Sequence, residues 1–195
     1  MRSRVHLLAA AVMLVAACGP GASWSHADDE SPAVLEYQVK AGFVFNFLKF
    51  VSWPANAETS WPDDRGRTTG AWRIGVIGKR SVVEIIAKTL AGGTIGGRPV
   101  EVSAIGENED PTLCHVVFIE KSHTKSSASL IEMIQNSPVL VVGETPDFAR
   151  THGIIGFVKR KDNFRLEINP LRARKAGLVI SGKLASLADL VEDKS

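Results

Sequence analysis

The sequence predicts a single three-layer α/β domain: a mainly parallel sheet with an antiparallel hairpin at one edge and helices on both faces. Strand patterns alternate with helix patterns from residue 72 to residue 177, which is typical of parallel strands joined by helical crossovers. Two strand segments, HVVFIE (115–120) and PVLVVGE (138–144), are continuous apolar runs, as expected of strands buried on both faces. The segments 154–160 and 164–169 are separated by three residues, which predicts the hairpin.

The first predicted element is a helix over residues 32–52, introduced by Ser31-Pro32 as N-cap and first helical residue. Because two apolar stripes adjoin, we expect this helix to be covered on most sides, with Glu36, Lys40 and Lys49 facing water. Its apolar run is too short and too charged to span a membrane, and Trp53-Pro54 is expected to end it. The stripes are Leu35, Val39, Phe43 and Phe47, then Tyr37, Ala41, Val44, Leu48 and Val51.

The remaining elements follow from apolar patterning and turn residues. Residues 55–71 are polar and rich in turn formers, so they predict a loop. Further strands are expected at 72–78 and 99–105, in addition to the four named above. Further helices are expected at 81–91, 126–136, 170–177 and about 183–192, with a short helical turn at 148–152. No internal repeat or linker divides residues 28–195, which predicts one domain.

The N-terminus has the pattern of an export signal. Arg2 and Arg4 precede an apolar run of 11 residues, Leu7 to Ala17, which is shorter than the roughly 20 residues that span a bilayer. One interpretation makes residues 1–27 a cleaved secretory signal. The other makes 1–17 a lipoprotein signal with Cys18 lipidated and anchored, by preference, in the outer membrane. Both place the protein in the periplasm, either soluble or held by a lipid.

Composition excludes several functions. Without Arg2 and Arg4, 21 basic residues balance 21 acidic ones, and the absence of a basic stripe argues against nucleic acid as a partner. The sequence has no metal-binding H-E-x-x-H or C-x-x-C spacing and no G-x-S-x-G elbow, so we expect no metal, no cofactor and no enzymatic activity. Cys114 begins an apolar run, and we expect it to be buried.

Three polar segments should meet at the carboxyl edge of the sheet, where ligands bind in open parallel sheets. They contain Lys79, then Lys121 and Ser122, then Glu144. A small anion could bind beside Lys79, where a strand meets a helix N-terminus; the alternative is that these segments are ordinary solvated turns. Trp53 is either a core residue or part of a partner groove.

Near the C-terminus, Glu167 is a further candidate binding residue, with a role in positioning the C-terminal helices. Asn169, directly before Pro170, is expected to be an N-cap.

The order of several segments resembles the YfiR family over residues 33–190. These segments are FLKFVSWP, CHVVFIEKS, PVLVVGE followed by DFA, HGIIGFV, FRLEINP and KAGLVISGKLASLA. The resemblance implies a bacterial periplasmic protein that is not an enzyme. The best understood members restrain an inner-membrane diguanylate cyclase by binding its periplasmic sensory domain, which lowers cyclic di-GMP and biofilm formation. Those repressors have additional cysteines, so disulfide-based redox control is not implied here.

Two functional hypotheses remain from the sequence. In the first, implied by the resemblance, the protein is an inhibitory partner of a membrane sensor, with a homodimer compatible with that role. In the second, it binds a small anionic molecule at the strand-edge cleft, with Lys79, Lys121, Ser122 and Glu144 lining one pocket.

Overall fold

The computed structural model describes residues 31–58, 70–106, 109–160 and 163–194. Its main feature is an eight-stranded sheet. The central pairs of strands are parallel, whereas Ile155–Arg160 and Asn163–Ile168 form an antiparallel hairpin. The predicted α/β class and the hairpin are therefore confirmed.

The elements have the following bounds. The strands are β1 Val51–Ser52, β2 Trp72–Ile77, β3 Thr94–Ile95, β4 Arg98–Ala104, β5 Val116–Ile119, β6 Leu140–Gly143, β7 Ile155–Arg160, β8 Asn163–Ile168, β9 Val179–Ile180 and β10 Asp189–Leu190. The helices are α1 Pro32–Phe50, α2 Ala55–Glu58, α3 Arg80–Leu90, α4 Ala128–Ile134, α5 Phe148–Thr151, α6 Pro170–Lys175 and α7 Gly182–Ala185. Short 3₁₀ turns occupy Pro111–Leu113 and Lys121–His123. The strand order in the main sheet is β10-β8-β7-β6-β5-β2-β4-β3.

Each face of the sheet carries its own apolar core, because side chains alternate along a strand. On the first face, alternate residues of the central strands, such as Ile74 and Phe118, pack with α1, α3 and the C-terminal helices. On the second face, residues such as Val117 and Val141 pack with α4 and α5. The resulting arrangement has three layers, and both buried strands predicted from continuous apolar runs lie at its centre.

The structure differs from the prediction at the ends of the sheet. The helix expected at about 183–192 stops at Ala185, and Asp189 and Leu190 instead pair in parallel with β8, outside the hairpin. The first helix ends at Phe50, because Val51 and Ser52 pair antiparallel with β9. These pairings supply backbone hydrogen bonds that an apolar pattern along one segment cannot reveal.

Two expectations for α1 were wrong. Lys40 does not face water; only 2% of it is exposed. The first apolar stripe is not covered along its length: Phe47 is buried, but Leu35, Val39 and Phe43 are 50%, 53% and 38% exposed. An apolar stripe therefore lies on the surface where the sequence predicted a covered helix. Among the described helices, none is both long and apolar enough to cross a membrane.

Candidate functional site

Glu144 and Lys40 form the centre of a buried polar group at the carboxyl edge of the sheet. Glu144 follows β6, and its Oε1 accepts a hydrogen bond of 2.9 Å from Lys40 Nζ on α1. Both side chains are almost fully buried, at 6% and 3% exposure. Glu144 Oε2 also accepts longer hydrogen bonds from the Tyr37 hydroxyl at 3.4 Å and the Lys121 amide at 3.3 Å. This ion pair ties α1 to the sheet edge.

Aromatic rings and a second carboxylate surround the Lys40 ammonium. Its Nζ lies 4.9 Å from the centre of the Tyr37 ring and 4.8 Å from that of Phe164, distances at which cation–π attraction operates. Glu36, one helical turn earlier, accepts from the same Nζ at 2.6 Å. Burial, followed by the charges of Glu144 and other carboxylates, raises the pKa of Tyr37 well above its ordinary value. Tyr37 therefore remains a protonated donor to Glu144.

Glu120 lies beside this pair. Its carboxylate occupies the position beside Lys79 where the sequence predicted that an external anion could bind. Glu120 follows β5, and its Oε2 accepts from the Lys79 amide at 2.6 Å, at the start of α3. Its Oε1 accepts from the Ser122 hydroxyl at 2.9 Å and lies 3.9 Å from Lys79 Nζ. The carboxylate of Glu120 thus accepts a hydrogen bond at the N-terminus of α3 and interacts favourably with the positive end of the helix dipole. We call Lys40, Lys79, Glu120, Ser122 and Glu144 the carboxyl-edge cluster.

The structure brings Lys79, Lys121, Ser122 and Glu144 to the same edge, as the topology predicted. It does not place the other two candidates there. Trp53 is buried at the opposite, amino end of the strands, with its ring centre 5.4 Å from that of Trp72. That leaves little of the Trp53 surface for a partner.

Glu167 is also buried, but on the opposite face of β8 from Leu166 and Ile168, which belong to the first core. Its Oε2 lies 4.0 Å from Arg150 Nε. Glu167 is therefore part of neither the carboxyl-edge cluster nor the surface of α1. Asn169 is the predicted N-cap, because its Oδ1 accepts from the amides of Leu171 and Arg172 at 3.1 Å.

Sequence reasoning missed Lys40, Tyr37 and Glu120. Glu120 follows an apolar run directly and could have been found as a strand-end carboxylate. Lys40 gave no such signal, because its partner Glu144 is 104 residues away in the chain. Cys114 is buried, as predicted, and Cys18 lies outside the described residues. Within the described ranges, no group of histidine, cysteine and carboxylate side chains could hold a metal ion.

His115 is a buried titratable group outside the carboxyl-edge cluster, at the amino end of β5. Its Nδ1 accepts a hydrogen bond of 3.0 Å from the Arg73 amide, and its ring lies 4.6 Å from that of Trp72. Burial, followed by the charges of Arg98 and Arg73, lowers the pKa of His115 from 6.5 to about 3. His115 is therefore neutral in the folded protein at any pH at which the protein is expected to work.

This lowered pKa predicts a loss of stability in mild acid. Between pH 6.5 and 3 the unfolded chain binds a proton at His115 that the folded protein does not bind, so the free energy of unfolding falls as the pH falls. From pH 7 to pH 5 the expected loss is about 2 kcal/mol. Urea denaturation at both pH values measures it.

The matched comparison for this measurement is wild type against His115→Gln. The variant should reduce the difference between pH 7 and pH 5, whatever its effect on stability at pH 7. If the free energy of unfolding depended equally on pH in wild type and His115→Gln, the loss of stability could not be assigned to His115.

The chain is similar to a known protein family. A family model described as YfiR/HmsC-like matches residues 37–189, nearly the same span in which the sequence resembles the YfiR family. No curated protein matches the chain. The matched span contains Lys40, Lys79, Glu120 and Glu144 but not the whole of α1.

Proposed function

We propose, from the premise that the chain belongs to the YfiR/HmsC-like family, that it is an exported signalling regulator without enzymatic activity. It binds the periplasmic sensory part of an inner-membrane protein and inhibits a diguanylate cyclase, which lowers cyclic di-GMP. The observation that carries this proposal is the family match over most of the chain.

The geometry of the carboxyl-edge cluster supports a binding role over a catalytic one. A general base or nucleophile needs an unengaged, accessible group beside a substrate cavity. Here Glu120 and Glu144 are buried and already accept hydrogen bonds from Lys79, Ser122 and Lys40. Such pairs hold α1, α3 and the strand ends in a fixed arrangement, which is what a surface that recognises another protein requires.

Inhibition is then a binding equilibrium between the regulator and the sensory domain. The regulator binds the inactive arrangement of the cyclase more tightly than the active one. The difference between these two binding free energies determines how far it shifts the cyclase toward the inactive arrangement. Any signal that weakens binding raises cyclase output. The periplasmic location follows from the export signal proposed for residues 1–27, or for 1–17 with lipidation at Cys18.

Affinity purification from crosslinked, detergent-solubilised cells tests this proposal. The tagged full-length protein should recover a membrane protein that has a periplasmic sensory domain and a cyclase domain, identified by mass spectrometry. A tagged periplasmic protein of another family is the control for nonspecific capture. Purification without a signalling protein, despite normal export, would overturn the proposal.

A second candidate function is the binding of a small anionic ligand at the same edge. The convergence of Lys79 and Lys121 favours it, whereas the carboxylate of Glu120 on the Lys79 amide means that an anion must compete with an internal group. Thermal denaturation with a panel of anionic metabolites tests it, since a ligand at 100 times its dissociation constant stabilises by about 2.7 kcal/mol. No shift with any of them would count against this function.

A further inference from the structure

The exposed apolar stripe of α1 continues into a groove beside the hairpin. Leu35, Val39 and Phe43 are spaced by four residues and therefore lie on one side of the helix, over about 12 Å. Phe43 also lines a groove of about 520 Å³. The other lining residues are Arg160, Phe164, Arg165, Leu166 and Leu187. Leu187, near the C-terminus, is 70% exposed. We call Leu35, Val39, Phe43 and the groove the α1 surface.

The α1 surface is held in a fixed position. The Phe43 ring packs against Phe157 of β7, with ring centres 5.9 Å apart. The Lys40–Glu144 pair fixes the same turn of α1 to the sheet edge. An apolar surface that is both exposed and rigid loses little conformational entropy on binding, which favours recognition of another molecule.

The charge and shape of the groove indicate what it binds. Among the described residues, its lining contains apolar residues and two arginines but no carboxylate. A complementary occupant therefore has apolar side chains flanked by Asp or Glu. The groove is concave, so it fits a protruding segment better than the flat face of a bilayer. Helices that bind in grooves have this amphipathic character.

We propose that the α1 surface is the docking site for an amphipathic segment with acidic flanks in the exported part of the membrane partner. This inference rests on the proposed function, since it assigns the surface by which the regulator holds that partner. Leu35, Val39, Phe43 and Leu187 supply the apolar contact, and Arg160 attracts the acidic flank.

The test compares single variants in the crosslinked purification. Val39→Glu and Leu187→Glu place a carboxylate on the α1 surface from two separate elements. Met133→Glu is the matched control, because Met133 is 60% exposed on α4, on the opposite face of the sheet. Each variant must keep the thermal denaturation midpoint within a few degrees of wild type. Recovery of the cyclase should fall at least tenfold for the two α1-surface variants and stay unchanged for Met133→Glu.

The charge of the partner is tested separately. Arg160→Glu should reduce recovery, whereas Arg174→Glu, an exposed change on α6, should not. If Arg160→Glu has no effect while Val39→Glu does, the acidic chemistry assigned to the partner is wrong.

The remaining outcomes separate this proposal from the proposed function. Recovery of the cyclase by wild type and by both α1-surface variants would overturn the docking site but leave the function standing. No recovery by wild type would overturn both. Two further results would assign the α1 surface to a different occupant and overturn the proposal. In the first, the protein is a dimer in light scattering, and Val39→Glu, alone among the variants, dissociates it while cyclase recovery stays intact. In the second, the wild-type protein binds phosphatidylglycerol vesicles and Val39→Glu does not.

Discussion

Replacing Lys40 by Met is expected to lower the free energy of unfolding by about 3–5 kcal/mol, the range seen when one partner of a buried ion pair is removed. The substitution preserves the aliphatic stem but leaves the carboxylate of Glu144 buried without its cation. The remaining donors to Glu144, Tyr37 and the Lys121 amide, are at 3.4 and 3.3 Å and do not replace a charge. Urea denaturation at pH 7 measures the change.

Two variants show whether this loss comes from an uncompensated charge. Lys40→Met combined with Glu144→Gln removes both charges and should recover at least half of the lost stability, because a buried pair can be replaced at low cost when both partners change. Arg80→Met breaks a pair of similar length, 2.8 Å to Glu84, that is 92% and 63% exposed. That change should cost far less than Lys40→Met, because water screens an exposed pair. Similar losses for Lys40→Met and Arg80→Met would contradict the burial of the pair.

Replacing Gly143 by Ala is expected to lower the free energy of unfolding by about 1–3 kcal/mol, the usual cost of overpacking a core. Gly143 ends β6, one residue before Glu144. A Cβ at this position would overlap the Phe148 ring, with Cζ only 2.5 Å away. Phe148 is fully buried, so its ring cannot move aside without displacing other core residues. Denaturation by urea again gives the measurement.

The cause is tested with a smaller side chain at position 148. Gly143→Ala in a Phe148→Leu background should cost at least 1 kcal/mol less than in wild type, which would show that the two positions are coupled. Gly42→Ala is the control: nothing lies within 4 Å of its added Cβ. Because alanine is more favourable than glycine in a helix interior, this change in α1 should raise the free energy of unfolding by about 0.5–1 kcal/mol. A loss at position 42 equal to that at 143 would refute the steric explanation.

The sequence predicted the elements whose patterning is strong and local. The apolar runs around Val117 and Val141 favoured strands buried on both faces, and these strands lie at the centre of the sheet. Their order along the chain, with helices between them, predicted a parallel sheet. That in turn predicted that Lys79, Ser122 and Glu144 would meet at one edge.

The sequence could not predict features that depend on partners distant in the chain. The residues of β10 have a helix-compatible pattern, but pairing with β8 makes them a strand. Lys40 looked solvent-facing because charged residues in an amphipathic helix usually are, and only the fold brings Glu144 to it. The exposure of Leu35 and Val39 could not be predicted for the same reason. A sequence pattern identifies apolar residues but does not show whether another part of the chain covers them.

The interior and the surface of α1 therefore have different roles. Phe47 and its buried neighbours join the helix to the sheet, and Lys40 fixes its orientation at the carboxyl edge. Leu35, Val39 and Phe43 are left on the surface of an element that is otherwise firmly held. A regulator that acts by holding a sensory domain needs such a rigid, partly apolar surface.

The most direct test of this account is the cyclic di-GMP content of cells that lack the protein, measured by mass spectrometry beside wild type and a complemented strain. If the protein restrains a diguanylate cyclase, deletion raises the nucleotide severalfold and complementation with the wild-type chain returns it to the original amount. Complementation with Val39→Glu should fail, and complementation with Met133→Glu should succeed. An unchanged or lower amount of cyclic di-GMP in the deletion strain would contradict the account.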